Sequence, residues 1–371
     1  MKKHLVLVGG GHAHMVTLAH LRTIKERGHD VTIIGPSEYH YYSGMGPGML
    51  SGFYTPEEIR FATRHVVEKQ GCTFVKDKVV RVDPVARELV LQAGNKISYD
   101  VVSFNAGSYV PAPGQPMEAA GDVFSVKPIE RLLEARDRIV DLTTKKKISV
   151  AIVGGGPAAA EIAGNMSALV KNAQFYPIIT IFAGRSFMSR FPEGIRRKAR
   201  KSLENRGIKI VENGYVREVE SGKVILDSGQ NYDVDFIMLA TGVRPSTIFK
   251  ESGLPVGPDG GLLVNNYLQS TEYPEMFGGG DCIYFQDSPL DKVGVYAVRE
   301  NPILYHNLLA ALEGEKLQPF DPGGDYLLVF NMGDGQGILR KKGFQFNGRL
   351  AFWVKDYIDR KFMEKFQAIE G

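Results

Sequence analysis

The segment from His4 to Arg22 reads HLVLVGGGHAHMVTLAHLR, and it predicts how the chain begins to fold. Residues 5–8 are a short apolar run, typical of a parallel strand buried on both faces, and three glycines follow. Residues 13–27 have helical spacing, with Gly28 as a natural C-terminal cap, and DVTIIG at 30–35 predicts the next strand. This order of strand, glycine turn, helix and strand is that of a mononucleotide-binding unit.

The three glycines and the two residues after them are candidate phosphate-binding positions. Gly9 permits a sharp turn, and Gly11 lets backbone N–H groups approach a pyrophosphate at the N-terminus of the helix that begins with His12 and Ala13. The third position of the glycine fingerprint holds His14 instead of Gly or Ala, so the packing of helix on strand must be arranged differently there.

Two further features of this first unit leave alternatives open. The acid expected at the end of the second strand is missing, although Ser37 or Glu38 could still bond ribose hydroxyls. His12 and His14 alternate on a turn, a poor chelating geometry, and we expect no metal site. Taken alone, the unit could also be a glycine turn in an ordinary α/β domain.

A second copy of the pattern makes the dinucleotide-binding interpretation far more specific. Residues 148–171 read ISVAIVGGGPAAAEIAGNMSALVK, with glycines at 154–156, and IITIF at 178–182 is the following strand. The candidate binding residues of this turn are Gly154, Gly156, Pro157 and Ala158. Two such units 145 residues apart predict two Rossmann-like domains of the α/β class.

The composition sets the class of protein. The chain has 371 residues, 43% of them hydrophobic, which is enough for two or three domains with their own cores. A net charge of +3 gives no indication of nucleic-acid binding. Two isolated cysteines, Cys72 and Cys282, suit a reducing compartment, and no apolar run approaches the roughly 18 residues of a membrane-spanning helix. We therefore expect a cytoplasmic protein.

Three more strands end in short polar or glycine-containing motifs. DFIMLATGVRPS at 235–246 is an apolar strand that leads to Thr241 and Gly242, and EMFGGGDCIYF at 275–285 leads to Asp281. In the first half, YDVVSFNAGSYVP at 99–111 is a weaker counterpart with Ala106 and Gly107.

With these motifs the whole chain resembles the pyridine nucleotide–disulfide oxidoreductase superfamily of two-dinucleotide flavoproteins. It is most similar to the branch of type II NADH dehydrogenases and sulfide:quinone oxidoreductases. GGGHAH, YYSGMGPGML, KVGVYAVRENPILYHNLLAAL and FWVKDYIDRKFM resemble, more narrowly, the flavoproteins found fused or adjacent to selenide, water dikinase. That narrower resemblance accounts for His14.

The resemblance implies FAD on the first unit and NADH or NADPH on the second. Asp281 should then bond the ribityl or phosphate region of the flavin cofactor. A helix beginning near Gly294 and Val295 should direct its N-terminus at the flavin and stabilise negative charge there. Lys292 matches a lysine beside the flavin in the quinone-reducing branch, with an ordinary solvated lysine as the alternative.

The second unit carries two further candidates. Glu161 matches the family glutamate that lies near the nicotinamide end, and a helix-stabilising acid is the alternative. The position that selects the adenine ribose holds Arg185 instead of an acid, and Arg190 follows, so NADPH stays as open as NADH.

The cysteine content bears on where the electrons go. Disulfide reductases need two neighbouring cysteines, and this sequence has none, so we expect hydride transfer from NAD(P)H to FAD and electron transfer to a quinone-type acceptor. One alternative is a quinone-linked flavoprotein that oxidises sulfide or another sulfur or selenium compound. The other is a flavin-binding redox partner protein without catalysis.

We divide the chain into three parts. Residues 1–112 and 246–320 form the FAD domain, 113–245 the NAD(P)H domain, and 321–371 a C-terminal segment that covers the flavin side. Residues 353–369 have helical spacing, and from residue 340 onward eight Lys or Arg outnumber four Asp or Glu. This segment could lie on the inner face of the cell membrane, or pack on the flavin domain or on a second subunit of a homodimer.

Overall fold

The computed structural model describes residues 1–114 and 121–371 and contains two five-stranded parallel sheets. The strands of the first sheet lie in the order Thr73–Lys76, Asp30–Gly35, His4–Val8, Val101–Phe104 and Met276–Gly278. Those of the second lie in the order Lys209–Val211, Ile178–Phe182, Ser149–Val153, Phe236–Leu239 and Val123–Ser125. The predicted fold class, with two Rossmann-like domains, is confirmed.

The two sheets are built in the same way. In each, the central strand leads into the glycine turn, and the next strand of the repeat pairs with it in parallel, as Val6 pairs with Thr32 and Ala151 with Thr180. We call the part of the protein built on the first sheet the first half and the part built on the second sheet the second half. Each half also has a three-stranded antiparallel sheet. Their strands are Val79–Asp83, Glu88–Leu91 and Lys96–Ser98 in the first half, and Val216–Glu220, Lys223–Leu226 and Asn231–Asp233 in the second. The internal repeat therefore extends well beyond the glycine turns.

Helices and short strand pairs complete the described part of the chain. The α-helices are Met15–Ala19, Leu21–Glu26, Gly46–Leu50, Thr63–Lys69, Arg131–Lys145, Pro157–Leu169, Glu193–Glu204, Ile248–Glu251, Gly294–Glu313 and Arg349–Gln367. Short 3-10 helices span His12–His14, Ser43–Met45, Glu57–Ile59 and Gly280–Cys282. Two-stranded pairs join His40–Tyr41 to Arg60–Phe61, Ser108–Tyr109 to Arg244–Pro245, and Leu262–Val264 to Ile283–Phe285.

The helix predicted over residues 13–27 is interrupted, which corrects the prediction. It divides at His20 into two short helices, Met15–Ala19 and Leu21–Glu26. The His20 ring nitrogen Nδ1 lies 2.8 Å from the Val16 carbonyl oxygen, and the His20 backbone N–H donates to Thr17 instead. The side chain thus takes the carbonyl that the regular helical bond would use.

His14 replaces the fingerprint glycine by fastening the turn to the neighbouring strand. The ring is fully buried, with Nδ1 2.7 Å from the Gly9 carbonyl oxygen and Nε2 2.8 Å from the Ser103 hydroxyl. Because a carbonyl only accepts, Nδ1 carries the proton and Nε2 accepts from Ser103. Burial lowers the pKa of His14 to about 4, so the neutral ring persists at neutral pH.

The C-terminal segment forms a three-stranded antiparallel sheet and then a long helix. The strands are Leu328–Gly333, Gln336–Lys341 and Phe344–Gly348, and the helix Arg349–Gln367 starts four residues before the predicted 353. The sheet packs directly on the helix Pro157–Leu169, where any side chain on Gly164 would overlap the Met332 carbonyl oxygen. This segment therefore contacts the second domain as well as the first.

We predict that His14→Leu destabilises the fold by roughly 2–4 kcal/mol, because it leaves the Gly9 carbonyl and the Ser103 hydroxyl buried without a partner. Urea unfolding followed by circular dichroism measures the loss. His65→Leu, at an exposed histidine, is the matched control. Equal midpoints for the two variants would contradict the assigned role.

The pH dependence gives a second measurement on the same variant. Unfolded His14 binds a proton below about 6.5, whereas the folded ring binds one only near its lowered pKa of about 4. Between these values the unfolded state binds more protons, so stability falls as the pH falls. Glu161 and Glu300, whose pKa burial raises to about 7, act in the opposite direction but are unchanged by the substitution. The slope of stability against pH should therefore be shallower in His14→Leu.

Candidate functional site

Equivalent backbone contacts fix the two glycine turns in place. A side chain on Gly9 would overlap the carbonyl oxygen of Asn105, and one on Gly154 would overlap that of Ala240. Both glycines also have positive φ angles, +90° and +143°. Each turn is thereby held against the end of the adjoining strand, and only glycine fits there.

Three buried polar atoms surround the first turn without a protein partner among the described residues. They are His12 Nε2, Thr63 Oγ1 and Asn105 Nδ2. Thr63 lies against Gly10, and the Asn105 amide lies against Gly11. A buried polar group without a partner is costly, and groups able to donate hydrogen bonds suit an acceptor-rich ligand. The first turn thus fits the pyrophosphate of a dinucleotide.

Asp281 lies in a group of polar side chains beside that turn. Its Oδ2 accepts hydrogen bonds from Lys127 Nζ and from the Ser108 hydroxyl, each at 2.6 Å. Burial acts to raise its pKa, but Lys127 and the two hydrogen bonds outweigh burial and hold the pKa below its usual range. Lys127 follows the second-sheet strand Val123–Ser125, so this pair joins the two halves of the protein.

Glu300 supports the same region from the helix Gly294–Glu313. Its Oε2 accepts a hydrogen bond from the Gly280 backbone N–H at 2.5 Å, and the side chain is almost fully buried. Burial raises the pKa of Glu300 to about 7. The adjacent Gly279 packs against Ala13, which brings the Asp281 turn to the first glycine turn.

Lys292 and the start of the long helix also face this region. Lys292 forms an ion pair with Asp259 at 2.8 Å and contacts the Ile283 carbonyl oxygen, with its side chain 16% exposed. It is therefore not the solvated lysine of the alternative interpretation. Gly294 begins the helix and Val295 lies in its first turn, with Val293 as the N-cap. The helix begins two residues after Lys292, and the site role of these three residues stays a prediction.

The remaining first-domain candidates lie at the ends of sheet strands. Ser37 accepts a hydrogen bond from the Tyr39 backbone N–H at 3.2 Å. The Glu38 carboxylate pairs with Arg64 and Lys76, and the bond from Arg64 lowers its pKa. These contacts do not test the prediction that Ser37 or Glu38 bonds ribose hydroxyls. Ala106 is exposed and Gly107 half-buried, directly after the strand Val101–Phe104 and Asn105.

The second turn leaves open space where a ligand would approach. Gly156 caps the helix Pro157–Leu169, with Pro157 at its first position and Ala158 next. A Cβ on Gly156 or on Gly242 would meet no atom of the described chain within 4 Å. The Thr241 hydroxyl donates to the Pro111 carbonyl at 2.6 Å, which fixes the strand end beside Gly242.

Glu161 points toward the C-terminal sheet. Its Oε1 accepts a hydrogen bond from the Asn331 backbone N–H at 2.7 Å, and burial raises its pKa to about 7 although Lys355 acts to lower it. The carboxyl thus fastens the C-terminal segment to the helix Pro157–Leu169. Its predicted place near a nicotinamide stays a prediction.

The C-terminal helix lies across the first glycine turn. The Phe362 ring stacks on His12 with centroids 5.5 Å apart. The Tyr42 hydroxyl donates to Asp359 at 3.0 Å, and Lys355 donates to the same carboxylate at 2.6 Å. The helix therefore covers this part of the first domain with both apolar and charged contacts.

Sequence reasoning missed several residues of the site. Lys127 meets Asp281 across 154 positions, and Tyr42 meets Asp359 across 317, so no local spacing could indicate either pair. Glu300 lies inside the quoted stretch KVGVYAVRENPILYHNLLAAL, where it and Arg299 are the two charged residues between Gly294 and Leu312, which was an available signal. In residues 1–114 and 121–371 no cluster of three or more His, Cys, Asp or Glu is arranged to hold a metal ion.

The two cysteines lie in different parts of the first domain. Cys282 contacts the Phe104 carbonyl at the strand Val101–Phe104, whereas Cys72 precedes Thr73–Lys76 at the opposite side of the sheet. Those strands are three spacings apart, or about 14 Å, and a disulfide requires Cα atoms within about 7 Å. Burial also raises the pKa of Cys282 to about 12, which makes it a poor nucleophile.

Comparison with known proteins places this geometry in a family. A type II NADH:quinone oxidoreductase from Staphylococcus aureus is 23% identical over 402 aligned residues, covering 99% of this chain and 97% of the relative. The structure of NDH2 from Plasmodium falciparum in complex with NADH has a TM-score of 0.81 at 16% identity and covers 99% of this chain and 98% of that one.

A second solved structure and a family sequence model support the same fold and family. The sulfide:quinone oxidoreductase from Aquifex aeolicus has a TM-score of 0.77 at 18% identity, covering 99% of this chain and 92% of that one. At such identities these structures establish the shared fold. The sequence model of the pyridine nucleotide-disulphide oxidoreductases matches residues 3–307, and the chain therefore belongs to that family.

Proposed function

We propose that this protein is an FAD-dependent NAD(P)H dehydrogenase that passes electrons directly to a quinone-type acceptor. The observation that carries the proposal is the pair of equivalent glycine turns. The first turn has buried polar atoms without a protein partner, the second has open space beside its glycines, and the two cysteines are too far apart to form a disulfide. Family membership supports FAD and a nicotinamide dinucleotide as the cofactors. The relatives named as NADH:quinone oxidoreductases support the acceptor class.

The residues around the first turn are suited to hold FAD. Asn105, Thr63 and His12 would donate hydrogen bonds to the pyrophosphate, and Asp281 would accept them from ribityl hydroxyls. The N-terminus of the helix that begins at Gly294 would favour negative charge near the ring. When bound, FAD supplies the chemistry of hydride acceptance and electron transfer.

The residues of the second turn are suited to hold the reduced nicotinamide dinucleotide. Gly156 and Gly242 leave the backbone accessible, and the N-terminus of Pro157–Leu169 favours a pyrophosphate. Lys127 reaches from this half to Asp281 in the other, so the two binding regions adjoin. This proximity is what hydride transfer between two bound cofactors needs.

The positions of the two cysteines argue against a sulfur-oxidising function that depends on a pair of thiols. A relay through bound sulfur needs two thiols at the flavin, and here Cys72 lies at the far edge of the sheet while Cys282 is fully buried. Direct transfer to a small oxidant requires neither thiol.

The decisive experiment is an anaerobic titration of the purified protein. We expect a bound-flavin spectrum, bleaching of the flavin band on addition of NADH or NADPH, and return of the band when a soluble quinone is added. A double variant, Cys72→Ala with Cys282→Ala, should behave in the same way. A flavin that neither nucleotide bleaches would overturn the proposal, and a flavin bleached only by sulfide and reoxidised by the quinone would support the sulfur-oxidising alternative instead.

We predict that Asp281→Asn weakens FAD binding by roughly 10- to 100-fold, because it replaces a charged acceptor beside Lys127 and the ribityl hydroxyls. Titration of apoprotein with FAD, followed by quenching of flavin fluorescence, measures the affinity. Asp30→Asn is the matched control, since Asp30 forms an exposed ion pair with Lys2. Unchanged affinity in Asp281→Asn would remove this residue from the FAD site.

We further propose that the C-terminal helix places the protein on an anionic membrane surface. Leu350, Trp353 and Tyr357 recur at helical spacing and are 64%, 62% and 55% exposed, and Phe344 on the preceding strand is 66% exposed. Exposed lysines and arginines lie beside them. The opposite face of the helix is buried on the first domain. The helix can therefore pack on the flavin domain and contact a membrane surface at the same time. Within residues 1–114 and 121–371, no helix combines the length and hydropathy needed to cross a bilayer.

We predict that a double variant, Trp353→Ser with Tyr357→Ser, binds vesicles at least about tenfold more weakly, since each large apolar side chain contributes about 1.5–3 kcal/mol on burial. Sedimentation with vesicles of phosphatidylglycerol and phosphatidylcholine measures binding. Val85→Ser, at a residue 90% exposed elsewhere, is the control. Binding should weaken with salt, and equal binding by all three proteins would exclude this face as the membrane contact.

A further inference from the structure

We propose that Arg185 makes the second dinucleotide site selective for a nucleotide with a phosphate on the adenosine 2′-oxygen, which is NADPH. This inference rests on the proposed function and concerns which of the two nicotinamide nucleotides the site prefers. Arg185 lies in the loop of residues 183–188, which follows the strand Ile178–Phe182.

This loop lies directly against the second glycine turn. The Met188 backbone N–H donates to the Gly155 carbonyl at 2.6 Å, and a side chain on Gly155 would overlap the Ala183 carbonyl oxygen. In a dinucleotide-binding unit the adenosine ribose lies between the glycine turn and the end of the second strand. Arg185 is therefore in the position from which a side chain can contact the ribose 2′-substituent.

Arg185 is exposed and lies beside a tyrosine ring. Its guanidinium lies 5.6 Å from the centroid of the Tyr215 ring, within the range of a cation–π contact. The Tyr215 ring lies over Gly184, which pairs with Gly214 and has no side chain in the way. Within the described ranges Arg185 forms no ion pair, so its donors remain available to a phosphate.

The surrounding charges favour an added phosphate. Arg196 donates to the Ser186 hydroxyl at 2.7 Å and to the Phe187 carbonyl, which brings a second cation to the loop. Of the acids near this loop, Asp227 lies against Gly214, and Glu212 accepts hydrogen bonds from the Phe187 backbone N–H and from Arg200 at 2.5 Å. That carboxylate is neutralised by these contacts and is not free to bind ribose hydroxyls, as the selecting acid of an NADH site would.

The test uses two ligands that lack nicotinamide, ADP-ribose and its 2′-phosphorylated form. Calorimetric titration of the holoprotein should give roughly tenfold or tighter binding of the phosphorylated ligand, the expected effect of a charge-assisted phosphate contact. In Arg185→Gln this ratio should fall toward one, with ADP-ribose affinity unchanged. In Arg185→Asp it should invert.

Arg197→Gln is the matched control, because Arg197 is an exposed arginine of the same domain on the helix Glu193–Glu204. It should keep the wild-type ratio. Equal affinities of the two ligands for the wild-type protein, or a ratio that Arg185→Gln does not change, would overturn the inference. Because binding is measured without flavin reduction, failure of the proposed dehydrogenase activity would leave this result unaffected and would be seen separately.

Discussion

The structure depends on one steric constraint that occurs twice. The carbonyl oxygens of Asn105 and Ala240 occupy the space where a side chain would project at positions 9 and 154. Each contact ties the end of a central sheet strand to the strand beside it, so that the backbone of the turn opens toward a ligand. Four strands of each parallel sheet lie in the same order around these turns, whereas the fifth strand comes last in the chain in the first sheet and first in the second.

A charged pair links the two halves at the cofactor region. The first half contributes Asp281, which lies in the turn at Gly280, and Glu300, a buried acid on the helix Gly294–Glu313 that bonds the same turn. Lys127 comes from the second half and satisfies Asp281 across the boundary. A buried carboxylate without such a partner would be strongly destabilising. The ion pair that neutralises Asp281 in the cofactor region therefore also holds the two halves together.

Most of the fold could be predicted from the sequence because its signals are local. The apolar runs at 5–8 and 178–182, each next to a glycine turn or a polar strand end, became strands of the sheets. The break at His20 was missed, since it depends on a side chain capturing one carbonyl. Lys127 and Tyr42 were missed because their partners are distant in the chain, and a single sequence holds no record of such contacts.

The C-terminal segment contacts both halves at once. Its sheet touches the helix Pro157–Leu169 through backbone atoms at Gly164, and its helix lies over His12 through Phe362. A hinge rotation that separated the halves would have to break one of these close-packed contacts. Exchange of a bound nucleotide is therefore expected to use local movement of surface loops, with the two sheets staying fixed relative to each other during turnover.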